Sequence, residues 1–172
     1  MGIETRKHFA VDIMLGKLAK WLRVLGFDAR MMRLDRSRID SLLSEGFIPV
    51  TRREKLRDVE GVLFICGDHQ FDQLKELMSS LHVASGELRP FSRCSLCNTE
   101  LFQISRDAAF GSVPDYVFET ASDFRKCPEC AKVYWPGSHR QKMIEELRDL
   151  GIEGFRDLGI EGLVRAIRDQ EL

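Results

Sequence analysis

No stretch of this chain approaches the ~20 apolar residues that a bilayer-spanning helix needs, so a membrane protein is not expected. Neither charge dominates: 26 Lys and Arg stand against 27 Asp and Glu. No compositional bias marks disorder or a fibrous repeat, and the apolar and charged fractions are those of a globular domain. The opening MGIETRKHFAVDIM lacks the long apolar core of a signal peptide. It also lacks the downstream Ser or Thr of a myristoylation signal. The expected location is therefore cytoplasmic, where thiols stay reduced and paired cysteines more often hold metal than form disulfides.

What is present is unevenly distributed. Residues 1–60 carry 13 Lys/Arg against 9 Asp/Glu, whereas residues 61–172 carry 13 against 18. A modestly basic N-terminal part suits a polyanionic ligand; exposed helices are also charged for solubility alone.

The first ninety residues read as strands alternating with short helices. HFAVDI is a β-prone run ending in an acid. Leu15, Leu18, Ala19, Leu22 and Leu25 then recur at the spacing of one buried helical stripe, with Trp21 near it, and Gly26 is the expected stop. DARMMRL reads as a second strand. Asp35 caps the helix SRIDSLLSE, which ends at Gly46. FIPVT is a third strand, in which Pro49 predicts a sheet edge or an irregular strand. GVLFICG is a fourth strand, within which Cys66 is expected to be a small buried hydrophobe. FDQLKELMSSLHV is a helix with Phe71, Leu74, Leu77 and Met78 or Leu81 inward. This alternation implies an α/β fold, a mainly parallel sheet with helices on both faces.

The pattern changes at Pro90. Up to Pro136 there are two CxxC pairs, β-type segments (LFQIS, VYW) and many turn residues. RQKMIEELRDL is then amphipathic. The expected organisation is an α/β domain over 1–91, a small ribbon over 92–142 and a C-terminal helical tail over 143–172. The tail holds an identical heptapeptide, RDLGIEG, at 148–154 and 156–162. A period this short is no solenoid unit, and it reads as a local duplication.

Cys94, Cys97, Cys127 and Cys130 carry the strongest signal. The two pairs are separated by 29 residues, and each can turn so that both thiolates face one point. Four soft thiolates with no open position favour a structural zinc ion, with iron the lesser fit. Such an ion would replace the core that ~45 residues cannot build alone.

Asp12, Asp35 and Asp68 each fall at or just beyond the predicted C-terminal end of a strand. In an open parallel sheet these ends converge on one rim. Carboxylates gathered there would take Mg²⁺ or Mn²⁺, which suits phosphodiester hydrolysis. Spacing alone equally allows Asp12 and Asp35 to cap helices and Asp68 to be a loop residue.

VDIMLGKLAKWLRVLGFDAR, Asp35, EGFIPVTR, RCSLCNTEL and CPECAKVYWPGSH together resemble the Mut-seven C-terminal RNase domain family, in order over about residues 8–142. The resemblance implies a PIN-like nuclease domain carrying a zinc ribbon, and a metal-dependent ribonuclease or a relative of one. Asp12 matches the acid after the family's first strand, and Asp35 the acid heading its second helix. Where the family has Thr-Arg-Asp after the third strand, this chain reads Thr51-Arg52-Arg53. A cation there would repel Mg²⁺. Either the site is rearranged, with Glu54 or Asp58 as substitute and Asp40 and Glu45 on the second helix as additional ligands, or catalysis is weakened or lost.

Lys17, Lys20, Arg23 and Arg52 are candidate phosphate contacts. The cluster of Arg53, Lys55 and Arg57 lies beside Arg52. Trp135 and His139 are candidates for base stacking or phosphate contact. Two functions therefore stand: a PIN-like ribonuclease with RNA as substrate, or a catalytically silent RNA- or protein-binding module of the same fold, with the ribbon as a surface for a protein partner. A thiol redox protein is a third.

Overall fold

The computed structural model describes residues 7–149, the side chains of Ser85, His139 and Arg148 excepted. The duplicated segment lies almost wholly outside the described residues.

Four parallel strands form the first sheet: β1 (His8–Asp12), β2 (Asp28–Met32), β3 (Phe47–Thr51) and β4 (Leu63–Phe64), in the order β2-β1-β3-β4. His8 lies opposite Asp28 and Phe47, and Val11 opposite Met31 and Val50. β1 is thus the inner strand on which both neighbours are registered. Its side chains alternate between two cores, as strand geometry requires. Phe9 and Val11 enter a large apolar cluster, and Ala10 enters a smaller one on the other face.

Helices α1 (Gly16–Val24), α3 (Gln70–Ser80) and α6 (Ser138–Asp149) supply the larger cluster. A single 3-10 turn, Ile13–Leu15, leads from β1 into α1. The whole expected stripe, Leu15, Leu18, Ala19, Leu22 and Leu25, is buried. Trp21 is also buried, tilted against Phe71 at 5.2 Å. On the opposite face, α2 (Arg36–Ser44) sets Leu42 against Leu34, Phe47 and Leu56. Helices therefore cover both faces, as the alternation implied.

Two strand expectations need correction. Pro49 sits in β3, which is flanked on both sides, yet β4 reaches only Val50 and Thr51. The first three residues of β3 thus have an open flank, which lessens the cost of a missing N–H. The fourth strand stops at Phe64, so Cys66 is exposed rather than buried. The backbone N–H groups of Cys66 and Gly67 instead donate to the Glu76 carboxylate at 3.0 Å.

The second sheet is antiparallel, β5 (Phe102–Ile104), β6 (Phe124–Lys126) and β7 (Val133–Tyr134), in that order. Short helices α4 (Arg106–Ala109) and α5 (Asp115–Thr120) lie between β5 and β6 in sequence. They close a third core of Ala109, Val113, Val117, Phe124 and Val133. The chain then returns: Met143, Ile144 and Leu147 of α6 pack into the cluster of the parallel sheet. The expected tail thus begins inside a helix that completes the first core.

The strap between the sheets is tied to the end of α1. Arg89 N–H donates to Leu25 O at 2.9 Å, and Phe91 N–H to Val24 O at 2.7 Å. Gly26 makes this approach feasible. Its φ is +92°, and a Cβ there would sit 2.3 Å from the Arg89 carbonyl oxygen. Backbone strain and a clash with main chain act together at this position. Gly26→Ala is expected to cost about 2–4 kcal/mol, measured by urea unfolding, with an unchanged midpoint contradicting this account of the strap.

Candidate acid rim and four-cysteine centre

The two cysteine pairs are built alike. Cys94 N–H donates to Thr99 O and Cys94 O accepts from Asn98 N–H; Cys127 N–H donates to Lys132 O and Cys127 O accepts from Ala131 N–H. Asn98 (φ 68°) and Ala131 (φ 59°) take the left-handed turn that closes each knuckle. Asn tolerates that conformation because its short polar side chain bonds locally. The four Sγ atoms all lie within 4.8 Å of one another, and Cys94 and Cys130 are 3.8 Å apart. A zinc–thiolate tetrahedron with bonds of about 2.3 Å has an edge of about 3.8 Å. Donor set and spacing therefore fit zinc.

Thiolates in such a centre need donors around them. Burial opposes charge on Cys94, but the N–H groups of Cys97 and Leu96 and the Tyr134 hydroxyl, 3.1 Å from its Sγ, bring its thiol down to about 6. The hydrogen bond with Cys130 instead pushes the Cys97 thiol up to about 12, and burial pushes that of Cys127 up. Arg23 approaches the same knuckle. It is buried, with Nε on Ala29 O at 2.9 Å and Nη1 on the carbonyls of Ser95 (3.2 Å) and Leu96 (2.7 Å). This corrects the expectation that Arg23 meets phosphate: its guanidinium is spent on the backbone of the first knuckle.

A second clamp runs through Asn98. Its Nδ2 donates to Asp28 Oδ1 at 2.6 Å, and its Oδ1 accepts from Ala29 N–H at 2.9 Å. Burial pushes the Asp28 carboxyl up, yet the bonds from Asn98 and His8 and the charges of Arg30 and Arg93 hold it below the usual range. Arg93 adds Nη1 to Asn98 O at 2.7 Å and Nε to Gly26 O at 3.3 Å. Asn98, Arg93 and Asp28 escaped the sequence reading; the only signal was an asparagine directly after a CxxC pair. Asp28 begins β2, so the knuckle docks at the N-terminal edge of the parallel sheet.

Asp12 ends β1 at the other edge, four residues from His8, about 13 Å in a parallel strand. Its carboxylate has no solvent exposure. Thr51 Oγ1 donates to Oδ2 at 2.7 Å, Arg53 Nε to the same oxygen at 2.6 Å, and Arg53 Nη2 to Oδ1 at 3.3 Å. The Asp12 hydrogen bond is the main cause of a raised Arg53 pKa. Asp35 is exposed and caps α2, accepting from Ser37 N–H at 3.1 Å. Asp68 is highly exposed and ion-paired with Arg52.

All three acids thus sit past strand ends on one rim, but each is engaged: Asp12 internally, Asp35 as a cap, Asp68 with Arg52. Among the described residues, the four cysteines are the one group of three or more ligand-type side chains gathered around a point. Both oxygens of Asp12 face a guanidinium, so the residues present do not fit Mg²⁺ or Mn²⁺ in this arrangement. Asp40 is exposed and pairs with Arg36, and Glu54 pairs with Arg57. Lys17 and Lys20 are exposed on α1. Trp135 packs partly buried against the ribbon core, and the side chain of His139 lies outside the described residues.

Fold and site define an α/β domain with an acid-bearing rim, locked at its opposite edge to a ribbon with four clustered cysteines. The chain belongs to the Mut7-C RNAse domain family, whose model matches residues 7–147. No curated protein and no solved structure matches it. No helix among the described residues is long and apolar enough to cross a membrane.

Thiol chemistry separates the five cysteines. A thiol reagent is expected to modify one thiol, Cys66, in the metal-loaded native protein, and all five once a strong chelator is added. Metal analysis should return one zinc per chain. Modification of several thiols before chelation would contradict the closed centre.

Proposed function

We propose that this chain is an RNA-binding member of its family that retains the fold and the zinc ribbon but does not carry out metal-dependent hydrolysis. The observation that carries this reading is the Asp12–Arg53 pair. The family name supplies RNA as the ligand class. Hydrolysis through Mg²⁺ or Mn²⁺ needs open carboxylate oxygens. Asp12 offers none, and Arg53 stands where the family resemblance puts an aspartate.

Zinc is the resident ion of Cys94, Cys97, Cys127 and Cys130, and its role is structural because four thiolates leave no position for substrate or water. The ribbon therefore supports the fold. It grips the edge of the sheet away from the acids, so substrate contacts at the rim come from Arg52, Arg53 and their neighbours. Lys17 and Lys20 extend a cationic surface along α1.

A second reading, the metal-dependent ribonuclease, draws on the same family membership and on the three rim acids. It requires Arg53 to leave Asp12. Because Arg53 is the one cation paired with Asp12 among the described residues, that movement would strand a buried carboxylate, which is strongly destabilising.

The two readings part in one assay. With labelled single-stranded RNA and added Mn²⁺, the wild-type protein is expected to bind but not cleave. Arg53→Asp is expected to raise Mn²⁺-dependent cleavage about tenfold or more. Wild-type cleavage that needs Mn²⁺ and disappears in Asp12→Asn would establish the ribonuclease instead.

A further inference from the structure

The rim carries more cationic donors than its carboxylates occupy. Arg33, Arg36 and Arg38 follow the end of β2, and Arg52, Arg53 and Lys55 follow the end of β3. β1 lies between these strands, so the two basic segments flank Asp12 from either side. Arg33, Arg38 and Lys55 are exposed.

Arg53 occupies the middle. It meets Asp12 along one edge, through Nε and Nη2. A guanidinium has five N–H donors in a rigid fork, and Nη1 has no partner among the described residues. The Arg53 side chain is 28% exposed, whereas Asp12 is fully buried. The guanidinium thus covers the carboxylate from above and keeps its unused edge at the surface. Its placement is fixed twice over: Thr51 Oγ1 donates to Asp12 and accepts from Arg53 N–H at 3.1 Å. A guanidinium edge held in place by a buried carboxylate matches two phosphate oxygens with little ordering cost.

We infer that Arg53 binds an RNA phosphodiester directly at this rim, without a divalent cation, and that Asp12 is the residue that positions it. The inference rests on the RNA reading above and gives it a site. Arg53 then serves two partners at once. One edge neutralises Asp12; the other grips phosphate, while Arg33, Arg38 and Lys55 add sequence-independent attraction along the strand. A permanent side-chain cation takes over the role of charge neutralisation, so affinity at this site is indifferent to chelators and sensitive to salt.

The test uses the full-length zinc-loaded protein and a fluorescent oligouridine, with affinity followed by anisotropy across a potassium chloride series. Free Mg²⁺ and Mn²⁺ are first removed by dialysis, which spares the zinc centre. The double variant Asp12→Asn/Arg53→Gln replaces the ion pair by a neutral hydrogen-bonded pair and leaves net charge unchanged. It is expected to bind about tenfold more weakly. Because the Asp12–Arg53 pair is itself net neutral, the variant's slope of log affinity against log salt should change by less than the ~0.7 of an uncompensated single-strand phosphate contact. Arg53→Lys keeps a cation on Asp12 but loses the fork, and it should weaken binding severalfold in protein that a cooperative melting transition shows to be folded; it decides the matter if the double variant fails to fold. Wild-type affinity in these variants would overturn the phosphate contact while leaving RNA binding in place. Binding that appears only with Mn²⁺ would also overturn it. Absence of RNA binding with and without Mn²⁺ would overturn the RNA reading itself.

Discussion

An ionised carboxylate removed from water must have a counter-charge held against it, and the C-terminal rim of this protein is organised around that requirement. Asp12 ends the strand on which β2 and β3 are both registered, and it has no contact with solvent. Arg53 and Thr51 satisfy it from the end of the neighbouring strand. Coulomb attraction in a poorly hydrated site is strong, and breaking such a pair from one side costs far more than the pair contributes net. The position that decides the chemistry of the rim is therefore also one that the fold cannot readily relax.

The opposite edge meets a comparable demand by different means. Four thiolates around a dication would leave net negative charge, and the surroundings are rich in donors: backbone N–H groups, the Tyr134 hydroxyl and the buried Arg23 close by. The same residues fasten the ribbon to β2 and α1. Arg23 reaches the first knuckle from α1, and Asn98 returns the contact to Asp28 and Ala29. The four-cysteine cluster and the parallel sheet are thus joined through a short set of hydrogen bonds. α6 strengthens that link by carrying the chain back from the ribbon into the first core.

The two ends divide the labour. The ribbon edge holds two buried charged side chains, Arg23 and Asp28, both hydrogen-bonded. The rim holds one enclosed carboxylate beneath a layer of exposed cations. The five-residue strands β1 and β2 keep these edges about 13 Å apart. Arg23 illustrates the division well: it lies on the same helix as Lys17 and Lys20, yet it belongs entirely to the ribbon edge.

The helical stripe from Leu15 to Leu25, the strand-helix alternation, the α2 cap at Asp35 and the clustering of the four cysteines were all legible in the sequence, because each is fixed by local periodicity or by short-range spacing. The anomaly at Arg53 was legible only through the family resemblance, which puts an acid at that position. Tertiary structure alone decided the rest. That Arg53 closes on Asp12, 41 positions away, depends on two parallel strands lying side by side. That Arg23 is buried depends on a knuckle more than 70 residues further on. The short β4, which leaves Cys66 exposed and gives Pro49 an open flank, follows from how far a neighbour extends. Periodicity records which face of an element is apolar; it carries no record of which distant polar group will stand opposite, and in this protein those pairings set the chemistry.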